Sequence, residues 1–137
     1  MKILHVVPSF GLGGMEKIIC VLIEKTSDCH EHDILALDGN TQAKQWIKSA
    51  KVRFIDFEKP TERIKYFQVL YRSLREMRPE LLMTYNWGAT DAIWLGRLAR
   101  IRNIIHNEHG FNVDESVATV WKRDATRFLV YRLTSKI

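Results

Sequence analysis

Cysteine is scarce in this chain: only Cys20 and Cys29 occur among 137 residues. Neither has a histidine or further cysteine at metal-ligand spacing, so a disulfide scaffold and a zinc site both fall away. Cys20, set among Ile18, Ile19, Val21 and Leu22, reads as a buried thiol. Proline is nearly as sparse, and Pro8, Pro60 and Pro79 each stand where a periodic segment ends. Long apolar runs are missing as well. The run after Lys2 breaks at Pro8, too short for a signal peptide or a membrane span. The expected location is therefore cytoplasmic, with peripheral contact to the inner membrane face left open. No internal repeat and no low-complexity linker divides the chain.

What is present is an ordinary globular composition, 46% hydrophobic and 27% charged, in a length that suits one domain with a real core. The net charge is +5. Most of the excess lies in the second half, at Arg63, Lys65, Arg72, Arg75, Arg78, Arg97, Arg100, Arg102 and on to Lys136. Such a surface suits anionic lipid headgroups, phosphorylated substrates or nucleic acid, or is simply a set of solvated helix faces. Nucleic acid has no stacking or helix-turn-helix signature to support it.

Strand and helix patterns alternate. Strands are expected over 2–7, 33–37, 52–57, 80–84 and 103–106. Helices are expected over 15–25, with 15, 18, 19, 22 and 23 as the apolar face, over 41–49 with Thr41 as cap, and over 61–77 with Thr61 as cap. Two more follow, over 91–100 and over 115–134, the last with Trp121, Phe128, Leu129 and Leu133 inward. Five strands separated by helices predict a three-layer, Rossmann-like α/β domain with a mainly parallel sheet. The Lys136-Ile137 step reads as the entry to a sixth strand, so a further domain is expected to follow.

Ligands of open α/β sheets collect at the carboxyl ends of strands. After the first strand comes Pro8-Ser9-Phe10-Gly11-Leu12-Gly13-Gly14-Met15-Glu16-Lys17. Its glycines let backbone approach a ligand, and the following helix start offers free N–H groups. Gly11 and Gly13 fit the first two positions of the dinucleotide fingerprint, but Glu16 holds the third, and no Gly-Lys-Ser/Thr follows as in a P-loop. A plain strand-to-helix turn is the bland alternative. After the fourth strand stand Asn86 and Trp87, able to hydrogen-bond and to stack on a sugar, with Trp87 as a plain core residue the alternative. After the fifth stand His106, Asn107, Glu108, His109 and Gly110. His109 lies furthest out, whereas His106 reads as packed. Glu108 is a candidate acid/base, or a hydrogen-bonded partner of a histidine.

Taken in order, these three loops resemble retaining GT-B glycosyltransferases, within which they look closest to exopolysaccharide and PEP-CTERM-associated sugar transferases. The resemblance covers essentially the whole chain. It implies that residues 1–137 form the N-terminal, acceptor-side domain, one half of a GT-B fold. It implies too that the C-terminal donor-binding domain, with its paired glutamates, is not part of these residues. It further implies that Gly11, Gly13 and Gly14 face the diphosphate of a nucleotide-sugar donor. Glu16, Asn86, Trp87 and Glu108 would meet a glycan or lipid-linked acceptor, and His109 would act at the reacting sugar. No metal or other cofactor is implied. Two rival readings are weaker. A receiver-type signalling module could use Asp56 and Thr84, but Pro8-Ser9 replaces its acidic pair and His106-Asn107 its lysine. An NAD(P)-binding domain could use Asp38, but Glu16 opposes it.

Overall fold

The computed structural model describes residues 1–48, 52–108, 125, 128 and 131–134. Its strands are β1 (Lys2–Val7), β2 (Glu31–Ala36), β3 (Val52–Ile55), β4 (Leu81–Tyr85) and β5 (Asn103–Asn107). Its helices are α1 (Gly14–Thr26), α2 (Arg63–Met77) and α3 (Asp91–Leu98), with short 3-10 turns at Gln42–Trp46 and Trp87–Ala89. All strand pairs are parallel, and the order is β3-β2-β1-β4-β5. The expected α/β, parallel-sheet architecture is therefore present.

Alternation along the strands feeds two cores. Leu4, Val6, Leu35, Leu82 and Ile104 point to one face, where Tyr66, Leu70 and Leu74 of α2 and Ala92, Ile93 and Leu95 of α3 cover them. Val7, Ile34 and Ala36 point to the other, beneath Ile19, Cys20 and Ile23 of α1. Each fully buried aliphatic side chain contributes roughly 1.5–3 kcal/mol from apolar area removed from water. Cys20 is buried as expected. Met77 closes α2 because Pro79 cannot continue a helix; Arg78 turns left-handed at φ 43°, and its N–H bonds the Leu74 carbonyl at 3.2 Å.

Several local expectations need correcting. Thr61 does not cap α2, which starts from Glu62 with no side-chain cap. Thr41 makes no capping hydrogen bond either, and the helix expected there is a single 3-10 turn. On α1, Ile19 and Ile23 are buried as expected and Met15 packs against the same core, but Ile18 is 56% exposed while Cys20, on the other flank of that stripe, is buried. Ala125, Phe128 and 131–133 are helical, but Phe128 is 66% exposed; Leu133 does pack against the α2/α3 core. The rest of the helix expected over 115–134, with Trp121 and Leu129, lies outside the described residues.

Candidate functional site

The strand order reverses between β1 and β4: the chain leaves β1 towards β2 and later returns to β4 on the other side. Loops at the carboxyl ends of such a pair diverge and leave a crevice. Phe10, fully buried, anchors the loop after β1. Its N–H bonds the Asn40 carbonyl at 3.0 Å, and its own carbonyl accepts from the Ala43 N–H at 3.0 Å. With Phe10 pinned inward, the glycine segment stays at the surface: Gly14 is exposed, and Gly11 and Gly13 are half-exposed.

A side chain built at Gly14 would meet nothing within 4 Å, so this first residue of α1 opens onto free space. The opening N–H groups of a helix have no partner within it, and α1 begins at Gly14. One at Gly13 would collide with the Glu16 carboxylate, which folds back over the helix start. The positive end of the α1 dipole favours a negative group in that position.

The loop after β4 packs against the segment that follows β1. Asn86 sits at φ 55°, ψ 171°, a combination otherwise almost confined to glycine. Its N–H donates to the Asn107 carbonyl at 2.8 Å, joining the ends of β4 and β5. Its side-chain Nδ2 lies 3.1 Å from the Met15 sulfur, tying the loop to the first turn of α1. Gly88 touches Pro8 so closely that a Cβ would fall 2.9 Å from the proline ring. Trp87, half-buried, begins the 3-10 turn and belongs to neither core. The Nδ2 of Asn107 is buried with no hydrogen-bond partner among the described residues.

At the end of β5, His106 is half-buried, and its Nδ1 lies 2.8 Å from the Thr84 hydroxyl. Burial pushes its pKa down, partly offset by the Glu108 charge and the Thr84 bond. Glu108 accepts a hydrogen bond from the Tyr131 hydroxyl at 2.6 Å. His109 lies outside the described residues. The structure thus brings Asn86 to the mouth of α1 beside Gly13, Gly14 and Glu16, and places Glu108 at the end of the adjoining strand with Tyr131, a residue that no sequence signal marked. Among the described residues, no group of three or more His, Cys, Asp or Glu side chains is placed to hold a metal ion. No helix among them is long and apolar enough to cross a membrane.

Sequence reasoning also missed a polar chain under α1. His5 Nδ1 lies 2.9 Å from the Tyr85 hydroxyl, His5 Nε2 lies 3.0 Å from His32 Nδ1, and His32 Nε2 lies 3.0 Å from the Thr26 hydroxyl. Thr26 donates to the Leu22 carbonyl at 2.7 Å. Burial favours the neutral form of both imidazoles. Since a carbonyl only accepts, Thr26 then accepts from His32 Nε2–H, His32 Nδ1 from His5 Nε2–H, and His5 Nδ1 from Tyr85. Burial, then the neighbouring His32, lowers the His5 pKa to about 3, and burial raises that of Tyr85.

No protein-family model matches the chain, and no curated protein matches it. Solved structures do. A Listeria monocytogenes protein assigned as a UDP-N-acetylglucosamine 2-epimerase superposes with a TM-score of 0.57 at 15% identity, over 98% of this chain and 37% of that one. The chain thus spans little more than a third of that structure's length. At this identity the likeness establishes the fold, a Rossmann-like domain of the GT-B type.

Proposed function

We propose that the chain is the N-terminal half of a GT-B enzyme that handles a nucleotide diphosphate sugar and passes the sugar, with retention, to a glycan or lipid-linked acceptor. The observation that carries this reading is the open glycine turn at the mouth of α1, set where the strand order reverses and walled by the strained Asn86. Gly11, Gly13 and Gly14 would present amides to the diphosphate, and the α1 dipole would offset its leaving charge without a metal. The unpartnered Asn107 amide adds a donor at the same edge. Asn86 and Trp87 would meet the acceptor, Glu108 would orient it, and His109 would act at the sugar. Glu16 would contact an acceptor hydroxyl once displaced from Gly13.

A second reading, epimerisation of a nucleotide sugar, draws on the name of the structural neighbour. The two differ in product. Transfer consumes an acceptor and frees the nucleotide diphosphate, whereas a 2-epimerase inverts one carbon and needs no acceptor.

Titration of the 15N-labelled chain with UDP-N-acetylglucosamine tests the site. Amide shifts should concentrate on Gly11, Gly13, Gly14 and Met15, with the Asn107 side-chain amide following. Shifts confined to other regions at saturation would remove the assignment. Sugar transfer by the 137-residue chain alone, well above background, would overturn the half-enzyme reading.

A further inference from the structure

At the opposite, amino edge of the sheet lies a cleft of about 810 Å³ between the ends of α2 and α3, lined by Arg75, Arg78, Arg100 and Arg102 with Tyr71 and Glu80. Arg72 stands next to it, beside Arg75, Glu76 and Arg78. The carboxylate at the cleft, Glu80, is already engaged, accepting the Lys2 N–H at 2.7 Å. Among the described residues, Arg75, Arg78 and Arg100 form no ion pair. Arginines at helix ends complement the dipole, and one or two would need no other explanation.

The backbone argues for more. Among the described residues, three non-glycine residues have positive φ, and two of them are in this cleft: Arg78 at 43° and Arg100 at 66°. Both follow the end of a helix, where glycine or asparagine is the usual occupant of the left-handed position. Both turns are also braced. The Arg100 N–H bonds the Arg97 carbonyl at 2.9 Å, the Ile101 N–H bonds the Gly96 carbonyl at 2.9 Å, and Arg97 Nη1 bonds the Ile101 carbonyl at 3.1 Å. Across the cleft, the Lys2 ammonium holds the Met77 carbonyl at 2.8 Å just before Arg78. Arginine thus occupies two rigid positions that backbone preference alone would give to glycine.

We propose that this cleft is a phosphate-binding site, in which the guanidinium groups of Arg75, Arg78, Arg100 and Arg102 grip a ligand carrying a phosphomonoester or polyphosphate. Planar forks with several donors match phosphate oxygens, and four of them at one cleft favour a multiply charged group. The site lies across the sheet from the glycine turn and stands independently of the activity proposed there.

The test titrates the full chain with inorganic tripolyphosphate by calorimetry, alongside flotation with phosphatidylcholine vesicles that lack or contain phosphatidic acid. The decisive variant is Arg78→Gly/Arg100→Gly, which suits the backbone at both positions and should melt no lower than the parent. Its affinity for the phosphate ligand should fall by about tenfold or more. Lys25→Gln/Lys48→Gln, which removes the same charge from the α1 side, should bind like the parent. Binding of tripolyphosphate assigns the site to a soluble polyanion, and binding of phosphatidic acid vesicles alone assigns it to a lipid headgroup. Either supports the proposal. Failure to bind both ligands, or equal losses in the two variants, would overturn it.

Discussion

On the face covered by α2 and α3, the sheet presents Leu4, Val6, Leu35, Leu82 and Ile104, all fully buried. On the face covered by α1, the same β1 and β2 strands present His5 and His32, equally inaccessible, joined to Tyr85 and Thr26. The first face is held by packing, which is non-directional and tolerates rearrangement. The second is held by a directional hydrogen-bond chain, so a fault at one link weakens the next. The difference also partitions function. The chain ends at Tyr85, one residue from Asn86, so the face with the rigid polar core is the one that supports the crevice.

The largest effect should come from the apolar face. Leu82→Ala deletes a fully buried side chain at the centre of that core and should cost about 3 kcal/mol in urea unfolding. A Cβ added at Gly96 would lie 2.7 Å from a Leu82 methyl, so Gly96→Ala should be unfavourable or neutral alone. It should become stabilising in the Leu82→Ala background by about 1 kcal/mol, as alanine replaces glycine within a helix. That coupling would be purely steric.

On the α1 face, His5→Leu should cost about 2 kcal/mol by a different route, leaving His32 Nδ1 buried without a partner and the Tyr85 hydroxyl with only the Met83 sulfur at 3.8 Å. Adding Tyr85→Phe should then cost less than it does in the parent, because its hydroxyl has already lost its imidazole acceptor and keeps only the weaker Met83 sulfur. A double-mutant cycle measures the shortfall. Simple additivity would mean that the chain is not linked as described.

Acid should separate the two faces further. The folded chain keeps His5 at about 3 and holds His32 below its ordinary value, burial being the main cause in both. An unfolded histidine titrates near ~6.5. Between that value and about 3 the unfolded chain binds protons that the folded chain refuses, so stability is complete above the upper limit and drains away as pH falls. The slope due to His5 approaches ~1.4 kcal/mol per pH unit. Urea unfolding across that range should show it in the parent and in Leu82→Ala. His5→Leu/His32→Leu should flatten it.

Much of this fold was legible from apolar runs and breakers. β1 occupies the residues expected, and α2 ends at the residue that Pro79 dictates. The helix starts were less so, because Thr61 and Thr41 advertise caps that the chain does not use. Ile18 misled because α1 carries two adjoining apolar stripes, and only tertiary contact chooses between them. The histidine chain was out of reach for another reason. His5, His32 and Tyr85 lie on β1, β2 and β4, with Thr26 at the end of α1, and only the register, with Ile3 opposite His32 and His5 opposite Met83, sets the three diagonally on one face. The site was half visible: its glycines announced the turn, but nothing in the letters told that Glu16 would fold onto Gly13 or that Asn86 would be strained.

The smallest effect is the one that links strain to purpose. At φ 55°, ψ 171°, Asn86 holds a conformation that costs a residue with a Cβ roughly 1–3 kcal/mol. Asn86→Gly removes that cost at the price of the contact to Met15, and should raise stability by about 1 kcal/mol. Asn86→Ala keeps the Cβ, loses the same contact and should destabilise by a similar amount. The gap between the two variants measures the strain, and equal stabilities would show that there is none. If the strain serves the crevice, the more stable glycine variant should give weaker amide shifts at Gly13 and Gly14 with UDP-N-acetylglucosamine. A glycine variant that gained stability and kept those shifts in full would make Asn86 a backbone accident on the polar side of the sheet.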